Sequence, residues 1–329
     1  MRFYICNMNR IKIIKNRSDI GAGTRGSDMG IDAIEIAAIN ANNDYFTRFD
    51  FVDVETENES IYNKVKNTYM KRIEHVSYQC ERVCNAVNDS LNEQSFPLVI
   101  SGDHSSALGT ISGIKKTFSE KRLGVVWIDA HADMHSPFTS PSGNIHGMPL
   151  AAALGEDNIE NRINKVSTNS IHYWENMKNM GIKGSKLKPE DLVYFGVRDT
   201  EDPEDNQMQK LALRNYMVHE IRHRGLEVCV DEALDKLKDC DMIYISFDVD
   251  SMDCDLISYG TGTPVSKGFD EFEIIKIIDR IIKSNKVICM EFVEVNPLLD
   301  NKGNKMGETA FVVLDQVTKT LTNTLKIKH

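Results

Sequence analysis

The sequence predicts an α/β protein, a single three-layer α/β/α domain with a mostly parallel sheet. Short apolar runs such as LGVVWI (123–128) have the length of buried strands. Longer segments such as DEFEIIKIIDRIIKSN (270–285) place apolar residues at the three- and four-residue spacing of an amphipathic helix. Apolar strands that alternate with helices are typical of a parallel sheet covered on both faces. Because no repeat or linker divides the 329 residues, we expect one domain over residues 1–329.

The strands are predicted in chain order from their apolar runs, which are RIKIIKN, FPLVI, LGVVWI, DLVYFGV, MIYISF and KVICMEFVEV. A glycine-rich turn, GAGTRG, follows the first run, and a helical pattern over roughly residues 60–94 precedes the second. Cys80 and Cys84 lie four apart in that pattern and are expected to be buried helix residues.

Polar residues follow directly on five of these apolar runs, in the sequences SGDHS, DAHAD, RDTED, DVDSMD and EVNP. In open α/β sheets, ligands bind in the crevice beyond the carboxyl ends of the strands. The sequence therefore predicts a ligand site at that edge of the sheet.

Composition and charge narrow the possible partners. The net charge of −10 argues against a nucleic-acid or anionic-membrane partner, since both need a basic face. The basic cluster KGSKLK (183–188) is expected to be a solvated loop. No apolar run approaches the roughly 18 residues of a membrane span, and the N-terminal stretch 1–16 is too polar for a signal peptide. Seven scattered cysteines imply no disulfide framework, so a cytoplasmic protein is expected.

Six histidines and aspartates at three strand ends predict a metal site. Alternate residues of an extended chain point the same way, so each set can face one crevice. The set contains four carboxylates, two imidazoles and no thiolate, which suits Mn²⁺ better than a structural zinc site. Six ligands are more than one ion usually takes, so a pair of ions with shared carboxylates is expected. The alternative is that these residues only cap the following helices. The six are His104, Asp129, His131, Asp133, Asp248 and Asp250.

Three motifs resemble, in order and spacing, the signature motifs of the ureohydrolases, the family of arginase, agmatinase and their relatives. They are SGDHS (101–105), DAHAD (129–133) and SFDVDSMD (246–253). The match is closest to arginase, through SPSGNIHGMPLAAALG (140–155), GVRDTEDPE (196–204) and GTGTP (260–264). The resemblance covers nearly the whole chain and implies the arginase-like fold.

The resemblance implies two Mn²⁺ ions per subunit and a bridging hydroxide that attacks the guanidinium carbon of L-arginine, giving L-ornithine and urea. His104, Asp129, Asp133 and Asp248 would hold one ion or bridge the pair, and His131 and Asp250 would complete the other. His146 matches the histidine that shuttles protons, a role that suits an imidazole near neutral pH. Asp133 is the further catalytic carboxylate, and Glu294 matches the carboxylate that pairs with the substrate guanidinium.

The resemblance also implies contacts to the amino-acid end of the substrate. Ser142 and Asn144 match the loop that recognises the α-carboxylate, and Thr263 matches a threonine near the substrate. Asp202, before Pro203, matches the partner of the α-amino group, although an extra residue in RDTEDP makes Glu201 the alternative. The family forms trimers or hexamers, so a homo-oligomer is expected.

The chain departs from the family pattern at several positions. Ser101 replaces the usual glycine, and Asp253-Cys254 replaces the usual Asp-Pro. His135 stands where arginases usually have asparagine. Six ligands already fill a two-ion site, so we expect His135 not to be a seventh ligand but to face the substrate carboxylate at the mouth of the pocket.

Rival functions are distinguished by particular sequence features. An agmatinase, or another guanidine or formimino hydrolase, would share the metals but need no carboxylate site, and SGNIHG argues against it. A non-catalytic binding protein should have lost ligands, whereas all six are present. HEIRH (219–223) matches the zinc-peptidase pattern H-E-x-x-H. It follows the strand-like NYMV and is followed closely by Gly225, which leaves little helix, so His219 and His223 are expected at the surface.

Overall fold

The computed structural model describes residues 8–326, so part of the N-terminal stretch analysed above lies outside the described residues. Most predicted strands form where the apolar runs lie. The strands are β1 Arg10–Asn16, β2 Asp50–Asp53, β3 Ser95–Ser101, β4 Leu123–Ile128, β5 Leu192–Phe195, β6 Arg214–Tyr216, β7 Met242–Asp248 and β8 Val287–Val293.

All eight strands form one sheet in the order β2-β1-β3-β8-β7-β4-β5-β6, and every pairing is parallel. The predicted α/β fold with a mostly parallel sheet is therefore confirmed. The central strands β3, β4, β7 and β8 are buried along their whole length. Such strands read as continuous apolar runs because both of their faces are covered.

The helices are α1 Gly30–Asn40, α2 Tyr45–Arg48, α3 Ile73–Asn92, α4 Ala107–Thr117, α5 Pro149–Leu154, α6 Thr168–Lys178, α7 Asp202–Lys210, α8 Val218–Arg224, α9 Leu226–Lys236, α10 Glu271–Ile282 and α11 Lys305–Leu325. They pack in two sets: α3 to α6 contact one another, and α1, α9, α10 and α11 form a second connected set. No described helix has the length and apolar character needed to cross a membrane.

Two elements differ from the sequence-based expectations. β2 is an edge strand whose side chains are mostly exposed, so it has no apolar run to reveal it. The helix predicted from about residue 60 begins only at Ile73, after Arg72 at φ 55°. A left-handed residue interrupts a right-handed helix, which explains the later start.

Side-chain burial agrees with the expectation for the two helix cysteines but contradicts part of the expectation for the 183–188 segment. Cys80 and Cys84 are buried on α3, as predicted. The 183–188 segment forms no helix or strand, but Lys186 and Leu187 are buried, so the expectation of a solvated loop is wrong for these two residues.

The strand order brings the polar strand ends together. The five strands with polar ends are the adjacent central strands β3, β8, β7, β4 and β5. β3 and β4 are consecutive along the chain, yet β8 and β7 lie between them in the sheet. Such a change in strand order opens the crevice in which α/β proteins bind ligands.

Candidate metal centre and substrate cavity

The strand-end aspartates Asp129 and Asp248 bond to their own loops with Oδ1, which leaves Oδ2 to face His104. Asp129 Oδ1 accepts the backbone N–H of His131 at 2.7 Å, and Asp248 Oδ1 accepts that of Asp250 at 2.8 Å. Asp248 thereby caps the short 3-10 turn Val249–Ser251, as in the alternative interpretation, whereas no helix begins after Asp129. These hydrogen bonds also fix the carboxylates, so each Oδ2 points in a defined direction.

The first candidate ligand group converges on His104 Nδ1. This nitrogen lies 3.1 Å from Asp129 Oδ2, 3.1 Å from Asp133 Oδ2 and 3.2 Å from Asp248 Oδ2. All four side chains are buried. Three different strand ends therefore contribute ligand atoms to one point.

The second group lies beside the first and shares Asp129 with it. His131 Nδ1 is 3.0 Å from Asp250 Oδ2 and 3.5 Å from Asp129 Oδ1. Asp129 thus presents one oxygen to each histidine. Both groups have the composition and spacing of a metal site, and one carboxylate serving two groups is the arrangement expected of a paired site.

The atoms at the first group fit a cation. His104 Nδ1 and Asp133 Oδ2 are buried and have no hydrogen-bond partner among the described residues. Burial and the neighbouring Asp250 and Asp129 carboxylates raise the pKa of Asp248. Buried acceptors that converge without a donor are costly unless a positive charge lies between them. The residues present therefore fit divalent ions.

Neighbouring side chains hold the ligands in place. Ser246 Oγ is hydrogen-bonded to His104 Nε2 at 2.7 Å, which leaves Nδ1 for a metal. Trp127 stacks on the same ring, with centroids 4.1 Å apart, and its Nε1 donates to Asp129 Oδ2 at 2.9 Å. Thr263 Oγ1 donates to Asp250 Oδ2 at 3.0 Å. The orientations of three candidate ligands, His104, Asp129 and Asp250, are thus fixed by other side chains.

Glu294 directly follows β8 and contacts the backbone of the candidate ligand His104. Its Oε1 accepts the backbone N–H of His104 at 3.0 Å and lies 3.1 Å from His146 Nδ1. Its Oε2 is buried without a hydrogen-bond partner among the described residues. Glu294 also adopts φ 68°, a left-handed conformation that costs roughly 1–3 kcal/mol for a non-glycine residue.

His146 is held in a charged environment. Burial opposes its protonated form, but the hydrogen bond and negative charge of Glu294 outweigh this and raise the pKa of His146 to about 9. The carboxylate of Asp133 acts in the same direction. A proton is therefore available on His146 at neutral pH.

A cavity of about 290 Å³ adjoins these groups, although Asp129 and Glu294 are not among the residues that line it. Its size suits a small molecule rather than a polymer, since ligand pockets run from roughly 300 Å³ upward. The predicted site residues that line it are His104, His131, Asp133, His135, Ser142, Asn144, His146, Asp248, Asp250 and Thr263.

A model of the arginase family matches residues 9–321 of the chain. The chain belongs to the arginase family. The arginase of Bacillus subtilis (strain 168) is 35% identical over 309 residues, which cover 93% of this chain and 97% of that protein. The Bacillus caldovelox arginase is 32% identical over 310 residues, 93% of this chain and 97% of that protein.

Solved arginase structures agree with this family assignment. The native arginase of Bacillus caldovelox at pH 5.6 superposes with a TM-score of 0.79 at 31% identity, covering 94% of this chain and 98% of that one. The Helicobacter pylori arginase superposes with a TM-score of 0.78 at 25% identity, covering 94% and 99%. The arginase-like fold implied by the sequence motifs is therefore confirmed.

His135 lines the cavity of this arginase-family chain but belongs to neither group around Asp129. Its Nε2 forms an ion pair with Glu201 Oε2 and lies 3.4 Å from Glu204 Oε2. Although burial opposes its charge, the hydrogen bond to Glu201 raises the pKa of His135. His135 therefore lies in the cavity wall, with Glu201 as its partner.

Asp202 lies outside this cavity. Its backbone begins α7, and Asp202 is not among the residues that line the 290 Å³ cavity. Glu201, the residue before the helix, lines the cavity instead, together with Glu204. Glu201 is the extended residue before the helix, at φ −107°, whereas Asp202 is the first helical residue. The geometry therefore favours the alternative, Glu201.

Several functional residues were missed in the sequence. Glu204 lines the cavity and is buried, and its Oε1 accepts the backbone N–H of Met134 at 3.1 Å. The sequence contained a signal for Glu204, because it lies three residues after Glu201, which is the spacing of a capping box. The two residues form such a box in the structure. Ser246 and Trp127 gave no signal, because a strand residue that supports a ligand looks like any core residue.

Ser101, a departure from the family pattern, serves a buried carboxylate. Its Oγ donates to Glu291 Oε1 at 3.0 Å, and Ser106 Oγ donates to the same oxygen at 2.7 Å. Tyr244 donates its hydroxyl to Glu291 Oε2 at 2.6 Å. The added hydroxyl therefore contributes to satisfying a carboxylate beneath the metal centre.

The HEIRH stretch is helical, contrary to the expectation of little helix, since α8 covers all of it. His219 and His223 are exposed, as predicted. Glu220, the residue that would act as base, is ion-paired with Arg214 and Arg224. Within residues 8–326, no candidate metal group includes either histidine, so the stretch offers no zinc-peptidase site.

Proposed function

We propose that this protein is an arginase that hydrolyses L-arginine to L-ornithine and urea with two Mn²⁺ ions per subunit. The observation that carries the proposal is the position of Asp129, whose two oxygens face His104 and His131 separately. Relatives named arginase, at 35% identity over 93% of the chain, support the same activity.

The chain's residues would hold the two ions in the groups described above. His104, Asp129, Asp133 and Asp248 would serve one ion or bridge the pair, and His131 and Asp250 would complete the other. Imidazoles and carboxylates without thiolates favour Mn²⁺. When bound, such ions lower the pKa of water and so supply a nucleophile near neutral pH.

Three side chains then act on the substrate. The unpartnered Oε2 of Glu294 accepts N–H bonds from the guanidinium, because a buried carboxylate oxygen gains most from a cationic donor. His146 holds a proton at neutral pH and delivers it towards the leaving amine. Asp133, besides its place in the first ligand group, would receive a proton from the attacking water.

The amino-acid end of the substrate would lie at the outer part of the cavity. Ser142 and Asn144 offer donors for the α-carboxylate, and Thr263 holds Asp250 beneath the substrate. Glu201 is the partner for the α-amino group, since it lines the cavity and 55% of its side chain is exposed.

Urea release from L-arginine and from agmatine, with and without added Mn²⁺, tests the proposal. An arginase prefers arginine by orders of magnitude in kcat/KM, because agmatine leaves the polar groups around Ser142 and Asn144 unpaired. Equal values for the two substrates would make the protein a broad guanidine hydrolase, and preference for agmatine an agmatinase. Full activity after complete metal removal would contradict the two-ion site.

Assembly and location form part of the same proposal. We propose a homo-oligomer, trimer or hexamer, which light scattering at several concentrations tests directly. The six described cysteines are all free and buried, which favours a reducing compartment such as the cytoplasm.

A further inference from the structure

A lysine from outside the family motifs contacts the loop assigned to carboxylate recognition. Lys71 Nζ donates to Asn144 Oδ1 at 3.1 Å. The backbone N–H of Lys71 also donates to Gly143 O at 2.8 Å. Two contacts therefore join Lys71 to neighbouring residues of one loop.

The segment that carries Lys71 is packed tightly against this loop. Met70, the preceding residue, is fully buried in the core. Gly143 adopts φ +72°, and a Cβ there would lie 2.0 Å from Thr68 O. Because only glycine permits this approach, the position of Lys71 over Asn144 is built into the backbone.

The contact fixes which way the Asn144 amide points. A lysine ammonium carries donors and no acceptor, so it must meet the amide oxygen and not the amide nitrogen. The NH₂ group of Asn144 is therefore held on the opposite side, where it is close to Gly23. A Cβ on Gly23 would lie 2.5 Å from Asn144 Nδ2.

The amide nitrogen held in this way is free to donate. Among the described residues, no acceptor is hydrogen-bonded to Asn144 Nδ2, and Asn144 lines the cavity. The other charged groups lining the cavity include many carboxylates, which repel an anionic substrate group: Asp133, Asp199, Glu201, Glu204, Asp248 and Asp250. An oriented N–H donor with a cation behind it offsets that repulsion.

From these contacts we infer that Lys71 is a positioning residue for recognition of a substrate carboxylate. It holds the Asn144 amide with N–H groups facing the ligand and adds positive charge behind them. The inference rests on the proposed function only in that the substrate is taken to be an α-amino acid.

The inference is tested on the Mn²⁺-loaded enzyme by comparing the affinities of ligands that have a carboxylate with that of one that lacks it. In Lys71→Met, KM for arginine and Ki for L-ornithine should rise about tenfold, the scale of a lost charge-assisted hydrogen bond. The Ki of putrescine, which lacks the carboxylate, should not change, and kcat should stay within about twofold. Lys71→Arg, which keeps the positive charge and the donors, should restore most of the ornithine affinity.

Two further variants separate this role from a structural one. Lys66→Met removes an exposed lysine from the same segment and should change none of these constants. Gly23→Ala displaces Asn144 Nδ2 from the other side. It should raise the Ki of ornithine without raising the Ki of putrescine. Equal losses for both ligands in Lys71→Met, or no loss for ornithine, would overturn the inference. Absence of arginine hydrolysis by the unmodified enzyme would instead contradict the proposed function.

Discussion

His135 and Glu201 form an ion pair in the wall of the cavity, with His135 Nε2 against Glu201 Oε2. The motif DAHADMH places His135 in step with three candidate ligands, yet its side chain contacts α7 and its N-terminus instead of the metal centre. Glu201 is the carboxylate proposed to bind the α-amino group of arginine. The histidine therefore competes with the substrate for this carboxylate.

Replacement of His135 by asparagine should strengthen substrate binding. The change frees Glu201 for the α-amino group, so KM for arginine should fall about two- to fivefold, the scale of a partly exposed ion pair. kcat should change little, because the interaction is common to the ground and transition states. Glu201→Gln breaks the same pair but removes the carboxylate, so KM should rise instead. A loss of Mn²⁺ from His135→Asn would show that His135 is a ligand after all.

Asp129 and Asp250 should differ in how many ions their loss releases. Asp129 faces both histidines, whereas Asp250 belongs to one group only. Asp129→Asn should therefore lower the affinity for both ions. The loss should exceed the roughly 10–100-fold that follows when only a ligand's hydrogen-bond partner is removed. Asp250→Asn should weaken mainly one. Mn²⁺ content per subunit after dialysis, measured by atomic absorption, checks the stoichiometry, and retention of two ions by Asp129→Asn would contradict the shared site.

The exposed histidines of α8 should have no part in turnover. His219→Ala with His223→Ala removes both H-E-x-x-H ligand candidates without touching the Glu220 ion pairs. kcat/KM for arginine and Mn²⁺ content should remain within about twofold of the unmodified values, as expected for surface substitutions. A variant that keeps its circular dichroism spectrum but loses activity would revive a zinc role for this stretch.

The sequence predicted the metal groups well because they combine strong local signals. Asp129, His131 and Asp133 alternate directly after an apolar run, and a parallel sheet brings its strand ends to one edge. The choice between Glu201 and Asp202 could not be made in the same way. It depends on where α7 begins, and one residue at a helix start reverses which side chain faces the cavity.

Contacts between segments that are distant along the chain could not be predicted from the sequence either. Lys71 reaches Asn144 from 73 residues away, through a segment whose helical pattern placed Lys71 inside a longer helix. Edge strand β2 was missed because strand patterns are recognised by burial, and its side chains are mostly exposed.

The burial of Lys186 was also not predicted from the sequence, and it affects how stability depends on pH. A run of basic residues reads as a solvated surface, yet Lys186 is only 2% exposed, and its Nζ donates to the backbone oxygen of Lys178 at 2.6 Å. Burial lowers the pKa of Lys186 from 10.5 to about 8. The titratable group facing it is Cys84 on α3, whose thiol has a pKa raised by burial to about 11 and stays neutral below that pH.

Lys186→Met should therefore change thermal stability in a pH-dependent way. Between about pH 8 and 10.5 the unfolded chain holds a proton on this lysine that the folded chain has lost, so the lysine's contribution to stability rises with pH. Below pH 8 the folded protein buries the charge at full cost. The difference in Tm, variant minus unmodified protein, should accordingly be more positive at pH 7 than at pH 10, on the order of 2–4 °C for each kcal/mol of that cost. Loss of the hydrogen bond to Lys178 lowers Tm alike at both pH values, so it cancels in this comparison. Lys183→Met, on the exposed part of the same loop, is the matched control for removing one charge. A Tm difference that is constant from pH 7 to 10 would mean that Lys186 keeps its ordinary protonation in the folded protein.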